Sequence, residues 1–577
     1  MRAEKTFSDP TAQLLSRRIT GGSTLSQMKQ LLSFLLFDAG LMRDPLLIYA
    51  ILSSISRAAL IFSINETAAT LAQGMWPIVF LLISAACSLF FGHLSRVRGH
   101  SVVKQVQHDM RRAMSRRLLA ADIDFMLRHD KGHVYTVMTQ EIQAVSSSSI
   151  NLIEAAEALL LLMICIPYLF WISWFSGLAA LVAVAIGTSG FVFAELPARR
   201  LVERANSSTA RFVDRVSDML AGWMELRLRK SRRVDLARDI DDAIGDVRDL
   251  SIEAERRFST SQAFGQAALI GLICMVVLLL PRFQGADTTE MFQVMTVVLL
   301  AYGPIELVFK ALPRLSRSVA AYKKIGDVVF DLQSRQVEPS EDSDTLSTHG
   351  FSTIELRNVT AHVGEGGAAG AGQEDAFVLG PVNLILKPGE NVFFTGGNGS
   401  GKSTLMSLIC GLRSPDSGEI LMDGVAVGPD NIADFRGLFS AVLGEFHLFR
   451  NPYGLGKTEQ ETLAEMIETL GLKHRVDLVD GAFSTLALST GQRRRLALAV
   501  ATAENRPVII LDEYAADQDP ESRAFFYDVL LKKMRDTGQL VLVVTHDEQE
   551  YHKSDRLIKM DQGRIVSDQK NPPAKTG

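Results

Sequence analysis

Gly396-Gly397-Asn398-Gly399-Ser400-Gly401-Lys402-Ser403-Thr404 decides the fold of the second half of the chain. The stretch fits G-x-x-x-x-G-K-[ST], a loop that binds phosphate. Its glycines let successive backbone N–H groups turn inward and form a nest for anionic oxygens. Lys402 adds a cation for the β- and γ-phosphates, and Ser403 adds a hydroxyl ligand for Mg²⁺. Val392-Phe393-Phe394 before it reads as a buried strand. Leu405–Leu412 after it reads as a helix whose positive N-terminal end faces the phosphates. The competing reading of this stretch alone is a glycine-rich turn, so the surrounding sequence has to decide.

Downstream, Val508-Ile509-Ile510-Leu511 is a continuous apolar run that ends in Asp512-Glu513. A parallel strand buried on both faces reads this way, and ligands of an α/β sheet gather at the C-terminal ends of its strands. Asp512 is therefore placed to hold Mg²⁺, directly or through water, and Glu513 to polarise an attacking water. Val541–Val544 is a second such strand, ending in Thr545-His546-Asp547, which puts His546 on the γ-phosphate side. Between them, Leu488-Ser489-Thr490-Gly491-Gln492 opens a helix, which makes another anion site. It finds no phosphate within one chain. It is useful only if it reaches a nucleotide held by a second copy.

The first half has a different texture. The chain has 577 residues, too many for one core, with a net charge of −5 and 22% charged residues. Mean hydropathy is nonetheless +0.14, which implies an apolar half joined to a soluble half. The charge balance gives no sign of a nucleic-acid partner. Six apolar runs near 20 residues fit membrane helices: roughly Pro45–Ile64, Met75–Gly92, Ala155–Trp171, Ser176–Ala194, Gln262–Leu280 and Glu290–Phe309. Thr24–Asp44 before them reads as an amphipathic interfacial helix. The loops His93–Ile150 and Glu195–Ser261 carry 9 and 14 Lys/Arg, whereas the other three loops carry only Arg282. The positive-inside rule then places both long loops and both termini in the cytoplasm. Both long loops read as helix continuing out of the membrane. Among ionisable groups inside the spans, Arg57 and Glu306 either pair or face a cavity. The four cysteines, Cys87, Cys165, Cys274 and Cys410, form no C-x-x-C pair and read as packing residues. Met1–Thr20 lacks the apolar core of a secretory signal.

Asp331–Gly350 is polar, acidic and serine-rich, as a linker is. The expected organisation is a six-helix membrane domain over 1–335, a linker over 336–350, and an α/β P-loop domain over 351–577. Gly364–Gly372 reads as a flexible loop inside the latter.

Together these features resemble the ATP-binding cassette. The order of phosphate loop, LSGGQ-like signature at Leu488–Gln492, Asp512-Glu513 and the later His546 matches that family over Phe351 to about Val566. Six spans ahead of the cassette look like an exporter half-transporter. Leu118–Glu141 and Met219–Arg233 look like the regions that carry its coupling helices. The resemblance narrows at Leu488–Leu498 and Asp512–Pro520, which look like bacterial cyclic-peptide and siderophore-peptide exporters of the syringomycin and pyoverdine type.

The resemblance implies an ATPase using ATP and Mg²⁺. It is expected to work as a homodimer, multi-pass in the bacterial inner membrane, surrounded by lipid and moving a peptide-like substrate. Each of two sandwiched ATP would meet Gly396–Thr404, Asp512, Glu513 and His546 of one copy and Ser489, Thr490, Gly491 and Gln492 of the other. Asp519 matches the aspartate that bridges the two sites. Rivals are a lipid or multidrug exporter, a siderophore importer on the same scaffold, and a soluble ATPase clamp. Two positions depart from the family. Gly444 stands where a glutamine is expected, with Glu445 beside it as a partial substitute. Val363 stands where an adenine-stacking aromatic is expected, with His362 as the neighbouring candidate.

Overall fold

The computed structural model describes residues 29–31, 33, 44–70, 75–121, 125–126, 131–284, 288–333, 350–363 and 377–571. The interfacial helix read over Thr24–Asp44 lies almost wholly outside these residues. The linker over 336–350 does too, apart from Gly350, and so does the Gly364–Gly372 loop. The chain divides into two compact units. One comprises Met1–Met114 and Thr136–Val328, and the other Ser115–Tyr135 and Val329–Gly577.

Among the described residues the first unit is mainly helical. Its helices are α1 (Leu46–Ala69), α2 (Met75–Leu119), α3 (Lys131–Ile172, with a π-helical turn at Val137–Glu141), α4 (Trp174–Ala221), α5 (Trp223–Leu228), α6 (Lys230–Gln284) and α7 (Thr288–Gln333). One end each of α2, α3 and α7 belongs to the second unit. Among the described residues five helices are long and apolar enough to cross a membrane, and α4 adds a shorter apolar stretch, Trp174–Ile186. Large apolar side chains such as Trp76, Leu82, Phe90 and Trp171 lie exposed on them, as side chains facing lipid do. The expectation that both long loops continue the helices holds for α2, α4 and α6, which run 45, 48 and 55 residues. Outside the apolar stretches, α4 and α6 are linked by ion pairs Arg211–Asp246 at 3.0 Å and Arg215–Asp239 at 3.9 Å.

Among the described contacts, Arg57 of α1 reaches Glu157 of α3 rather than Glu306, at 3.8 Å. Glu157 also accepts from Ser95 Oγ of α2 at 2.5 Å. Three helices thus converge on one buried carboxylate. Sequence alone could not find this partner, because which faces of three helices meet depends on packing. The free cysteines divide by position: Cys165 and Cys410 are buried, Cys87 is half-buried and Cys274 is exposed.

Among the described residues the second unit carries two large sheets and a two-stranded one. β1 (Ile354–Val363), β2 (Phe377–Leu386), β4 (Ser417–Met422) and β5 (Val425–Ala426) form an antiparallel sheet in the order β2-β1-β4-β5. β3 (Asn391–Thr395), β6 (Phe439–Val442), β9 (Val508–Asp512), β10 (Leu540–Val544), β11 (Arg556–Asp561) and β12 (Arg564–Lys570) form the main sheet, ordered β12-β11-β3-β10-β9-β6. It is parallel except for the β11–β12 pair. β7 (Leu478–Val479) and β8 (Ala482–Phe483) make a small separate hairpin. Every residue of β3, β9 and β10 is buried, which is why their sequences are unbroken apolar runs rather than alternating ones. One face of the main sheet packs with the antiparallel sheet and α8 (Lys402–Ile409). The other packs α10 (Lys457–Thr469) and α11 (Thr490–Ala503); the short α9 (Ile432–Arg436) lies between in sequence.

Candidate functional site: the ends of three parallel strands

Register builds the site. Val544 of β10 stands opposite Asp512 of β9 on one side and Phe394 of β3 on the other. The three central strands therefore end at one level. The chain leaves them through the phosphate loop, Asp512-Glu513 and Thr545-His546. Two backbone bonds lock this edge, Glu513 N–H to Val544 O at 3.0 Å and Thr545 N–H to Phe394 O at 3.1 Å.

The phosphate loop needs its glycines. Gly396, Gly399 and Gly401 have φ of 146°, 77° and 97°, a region that L side chains adopt at a cost. A Cβ on Gly396 would strike the Met560 carbonyl, and one on Gly401 would lie 2.7 Å from Leu379 Cδ1. Lys402 opens α8 and is buried. Its Nζ donates to the carbonyls of Gly396 and Gly397 at 2.9 Å each. Burial pushes the Lys402 ammonium below its usual value, against the pull of Glu513 and Asp512. Ser403 Oγ donates to Asp512 Oδ2 at 2.9 Å. Burial raises the Asp512 carboxyl above the usual carboxylate range, although Ser403 and the Gly444 N–H both bond to it. His546 Nε2 lies 3.5 Å from Glu513 Oε1, and both side chains are partly open to solvent.

The donor set fits a magnesium nucleotide. Asp512 Oδ1 and Ser400 Oγ are buried without a hydrogen-bond partner, a costly state that a coordinated cation and a phosphate oxygen would relieve. Among the described residues no three His, Cys, Asp or Glu side chains converge as a metal cage. Mg²⁺ does not need one, since it is usually held by one or two protein ligands together with substrate phosphates.

Thus Lys402, Ser403, Asp512, Glu513 and His546 come together as expected. The signature turn does not join them by any hydrogen bond or ion pair among the described residues. Ser489 caps α11 instead: its Oγ accepts from Gln492 N–H at 3.3 Å, while Gln492 Oε1 accepts from Ser489 N–H at 3.0 Å. Thr490 begins the helix, exposed. Gly491 lets the chain after Glu513 come close, because a Cβ there would lie 2.7 Å from the Asp517 carbonyl. Asp519 caps α12 (Pro520–Phe525) and accepts from both the N–H and the hydroxyl of Ser522, at 2.9 and 2.8 Å. The Ser522 bonds hold its carboxyl below the usual range.

At the two unusual positions, Val363 pairs in register with Phe377, whose ring lies against Gly401. His362 is held by Asp416, through its N–H at 2.6 Å and its Nδ1 at 2.9 Å. Gly444 approaches Asp512, and Glu445 is exposed. Sequence reading missed Tyr527, whose buried hydroxyl bonds Thr545 Oγ1 at 2.8 Å and Asp547 Oδ2 at 3.0 Å, bracing the turn around His546. It also missed Arg494, which sits one helical turn after Gly491 and reaches the Glu513 carbonyl.

A family model described as "ABC transporter" matches residues 379–516, which run from β2 past Asp512-Glu513. The energy-coupling factor transporter ATP-binding protein EcfA1 of Streptococcus mutans is 35% identical over 229 residues, covering 37% of this chain and 77% of that protein. The chain belongs to the ABC transporter family. The similarity of this ABC transporter to the ATP-binding protein SyrD of Pseudomonas syringae pv. syringae runs through both halves. It is 29% identical over 503 residues, covering 85% of this chain and 87% of SyrD. Its fold matches a solved bacterial Atm1-family ABC exporter with ATP bound. The TM-score is 0.76 at 17% identity, over 91% of this chain and 94% of that one. The ABC transporter is thus a multi-pass membrane protein with a fused ATPase domain that couples ATP hydrolysis to transport.

Proposed function

We propose that the protein exports a cyclic peptide, siderophore or related peptide-like product from the cytoplasm across the bacterial inner membrane, as a homodimer with both termini cytoplasmic. The membrane domain spans 1–335 and is linked through 336–350 to the ATPase domain over 351–577. The observation that carries this reading is the convergence of Lys402, Ser403, Asp512, Glu513 and His546 at one sheet edge, in a chain with apolar helices of membrane length. The peptide cargo is supported by the run Leu488–Leu498 and by Asp512–Pro520, together with the match to SyrD along most of both chains.

In this reading the loop N–H groups and Lys402 hold the β- and γ-phosphates, while Ser403 and Asp512 would hold Mg²⁺, which would supply positive charge against the charge that builds on the phosphates. Glu513 takes the proton of a water as its oxygen bonds to the γ-phosphorus and the bond to the β–γ bridging oxygen breaks, giving ADP and phosphate. His546 donates Nε2–H to a γ-oxygen. Ser489–Gln492 of the second copy complete the site from the opposite side, with Asp519 between the two sites. Joining and parting of the copies then drive the helices between inward- and outward-facing states.

The test compares peptide-like metabolites inside and outside the host, for native protein and Glu513→Gln at equal expression. Build-up inside with loss outside supports export of that compound. The opposite shift means import. No change in peptides with altered lipid distribution makes the protein a lipid exporter.

A further inference from the structure

One charged side chain of α11 reaches the turn at Glu513. Glu513 has φ 51° and ψ 34°, a left-handed conformation that is unfavourable for a residue with a Cβ. Such a conformation persists only where its surroundings over-determine it. Its N–H is fixed by Val544 O at 3.0 Å. Its carbonyl is fixed by Arg494 of α11, which donates through Nη1. The same guanidinium places Nε 3.0 Å from Asp517 Oδ2. Its side chain is only 11% exposed, so its charge needs a partner, and Asp517 is that partner. One turn earlier on α11, Gly491 O accepts from Gln518 Nε2 at 3.3 Å. The first two turns of α11 therefore grip the stretch from Glu513 to Gln518 at three points.

We propose that Arg494 is a positioning residue for hydrolysis: through the Glu513 carbonyl it holds the left-handed turn, and so fixes where the Glu513 carboxylate stands beside His546. A guanidinium suits this task, since one side chain must donate a hydrogen bond to the Glu513 carbonyl and hold an ion pair with the Asp517 carboxylate. Asp517 keeps the guanidinium from turning to the Glu513 carboxylate itself. Because α11 begins at the signature turn, the same brace ties the geometry of the general base to the helix that opens with Ser489–Gln492. The inference rests on the reading of Glu513 as the group that activates water.

The test is ATPase kinetics of the full chain in lipid nanodiscs for Arg494→Met, Arg494→Lys, Asp517→Asn and Glu513→Gln, with ATP affinity read by a fluorescent nucleotide. Arg494→Met is expected to lower kcat about 10- to 100-fold, the scale on which a small misplacement acts. KM for ATP should stay within about twofold, as for an interaction made only in the transition state. Arg494→Lys should recover part of the loss, and Asp517→Asn should show a smaller fall. In a Glu513→Gln background, Arg494→Met should leave nucleotide affinity unchanged. The proposal is overturned if kcat of Arg494→Met stays within about twofold of native, or if kcat, nucleotide affinity and melting temperature fall together. If Glu513→Gln still hydrolyses ATP, the reading of Glu513 fails first and the brace loses its purpose. If Glu513→Gln is dead and Arg494→Met is not, only the brace is wrong.

Discussion

A Cβ on Gly444 would stand 3.4 Å from Oδ2 of Asp512, at ordinary contact distance. There is room for a side chain, and none is present where the family carries an amide beside the Mg²⁺ position. Gly444→Gln is expected to supply that oxygen. The concentration of Mg²⁺ giving half-maximal ATPase activity should fall about threefold to tenfold, the worth of one added hydrogen-bond-scale interaction. A Mg²⁺ titration of the variant that matches native protein would remove Gly444 as the cause of any weak metal binding.

Asp512 links stability to pH. Burial raises its folded-state carboxyl above the unfolded value. The sign follows: its protonated form favours folding at low pH, and that contribution is lost as pH rises through the folded value. At neutral pH the buried charge therefore opposes folding unless a cation faces it. Asp512→Asn should raise the melting temperature of nucleotide-free protein at pH 7, with a smaller gain at pH 4. It should also reduce hydrolysis by about 100-fold or more, in line with loss of an electrostatic group at a phosphoryl-transfer site. A lower melting temperature at pH 7 would contradict the burial argument.

Tyr527 braces the turn around His546 with one hydroxyl shared between Thr545 and Asp547. Tyr527→Phe keeps the ring in its cluster and removes only that oxygen. Stability should fall by about 1 kcal/mol, because two hydrogen bonds to a buried hydroxyl are lost while Thr545 keeps the Asp547 N–H. ATPase turnover should fall more than ATP affinity, since His546 is the residue displaced. Equal loss of both in steady-state kinetics would point to general unfolding instead.

In the first unit, Glu157 is the buried centre shared by Arg57 and Ser95. Arg57→Met leaves a buried carboxylate without its cation, which costs about 3–5 kcal/mol. Arg57→Met with Glu157→Met removes both charges and should recover most of that loss in thermal melts in detergent. If the double variant melts no higher than the single one, the pair does not act as a unit.

Much of the site was legible because it is tied to strand ends. An unbroken apolar run that stops at Asp512 announces both a buried parallel strand and the side chain at its edge. The phosphate loop was readable for a similar reason, since Gly396 and Gly401 occupy positions where other residues collide. What escaped were bonds whose acceptor is backbone or whose partner depends on packing. Arg494 aims at a carbonyl, and no residue type marks a carbonyl. Arg57 reached Glu157 because α1 and α3 face one another, which hydropathy does not encode. The helical nature of the long loops was legible from charge-laced stretches that continue the apolar runs, but the break at Gly222 and Arg229, which isolates the six-residue α5, was not.

Helix α4 spans 48 residues, which makes it about 72 Å long, whereas the hydrocarbon layer is only about 30 Å thick. More than half of it projects beyond the lipid, and α6 stiffens it there through Arg211–Asp246 and Arg215–Asp239. Such a pair is a lever with its fulcrum in the membrane. A tilt of about 5° at one end sweeps the other through about 6 Å over that length. Movements of a few degrees among the apolar helices and displacements the size of a side chain at the far tip are the same motion, geared by helix length alone.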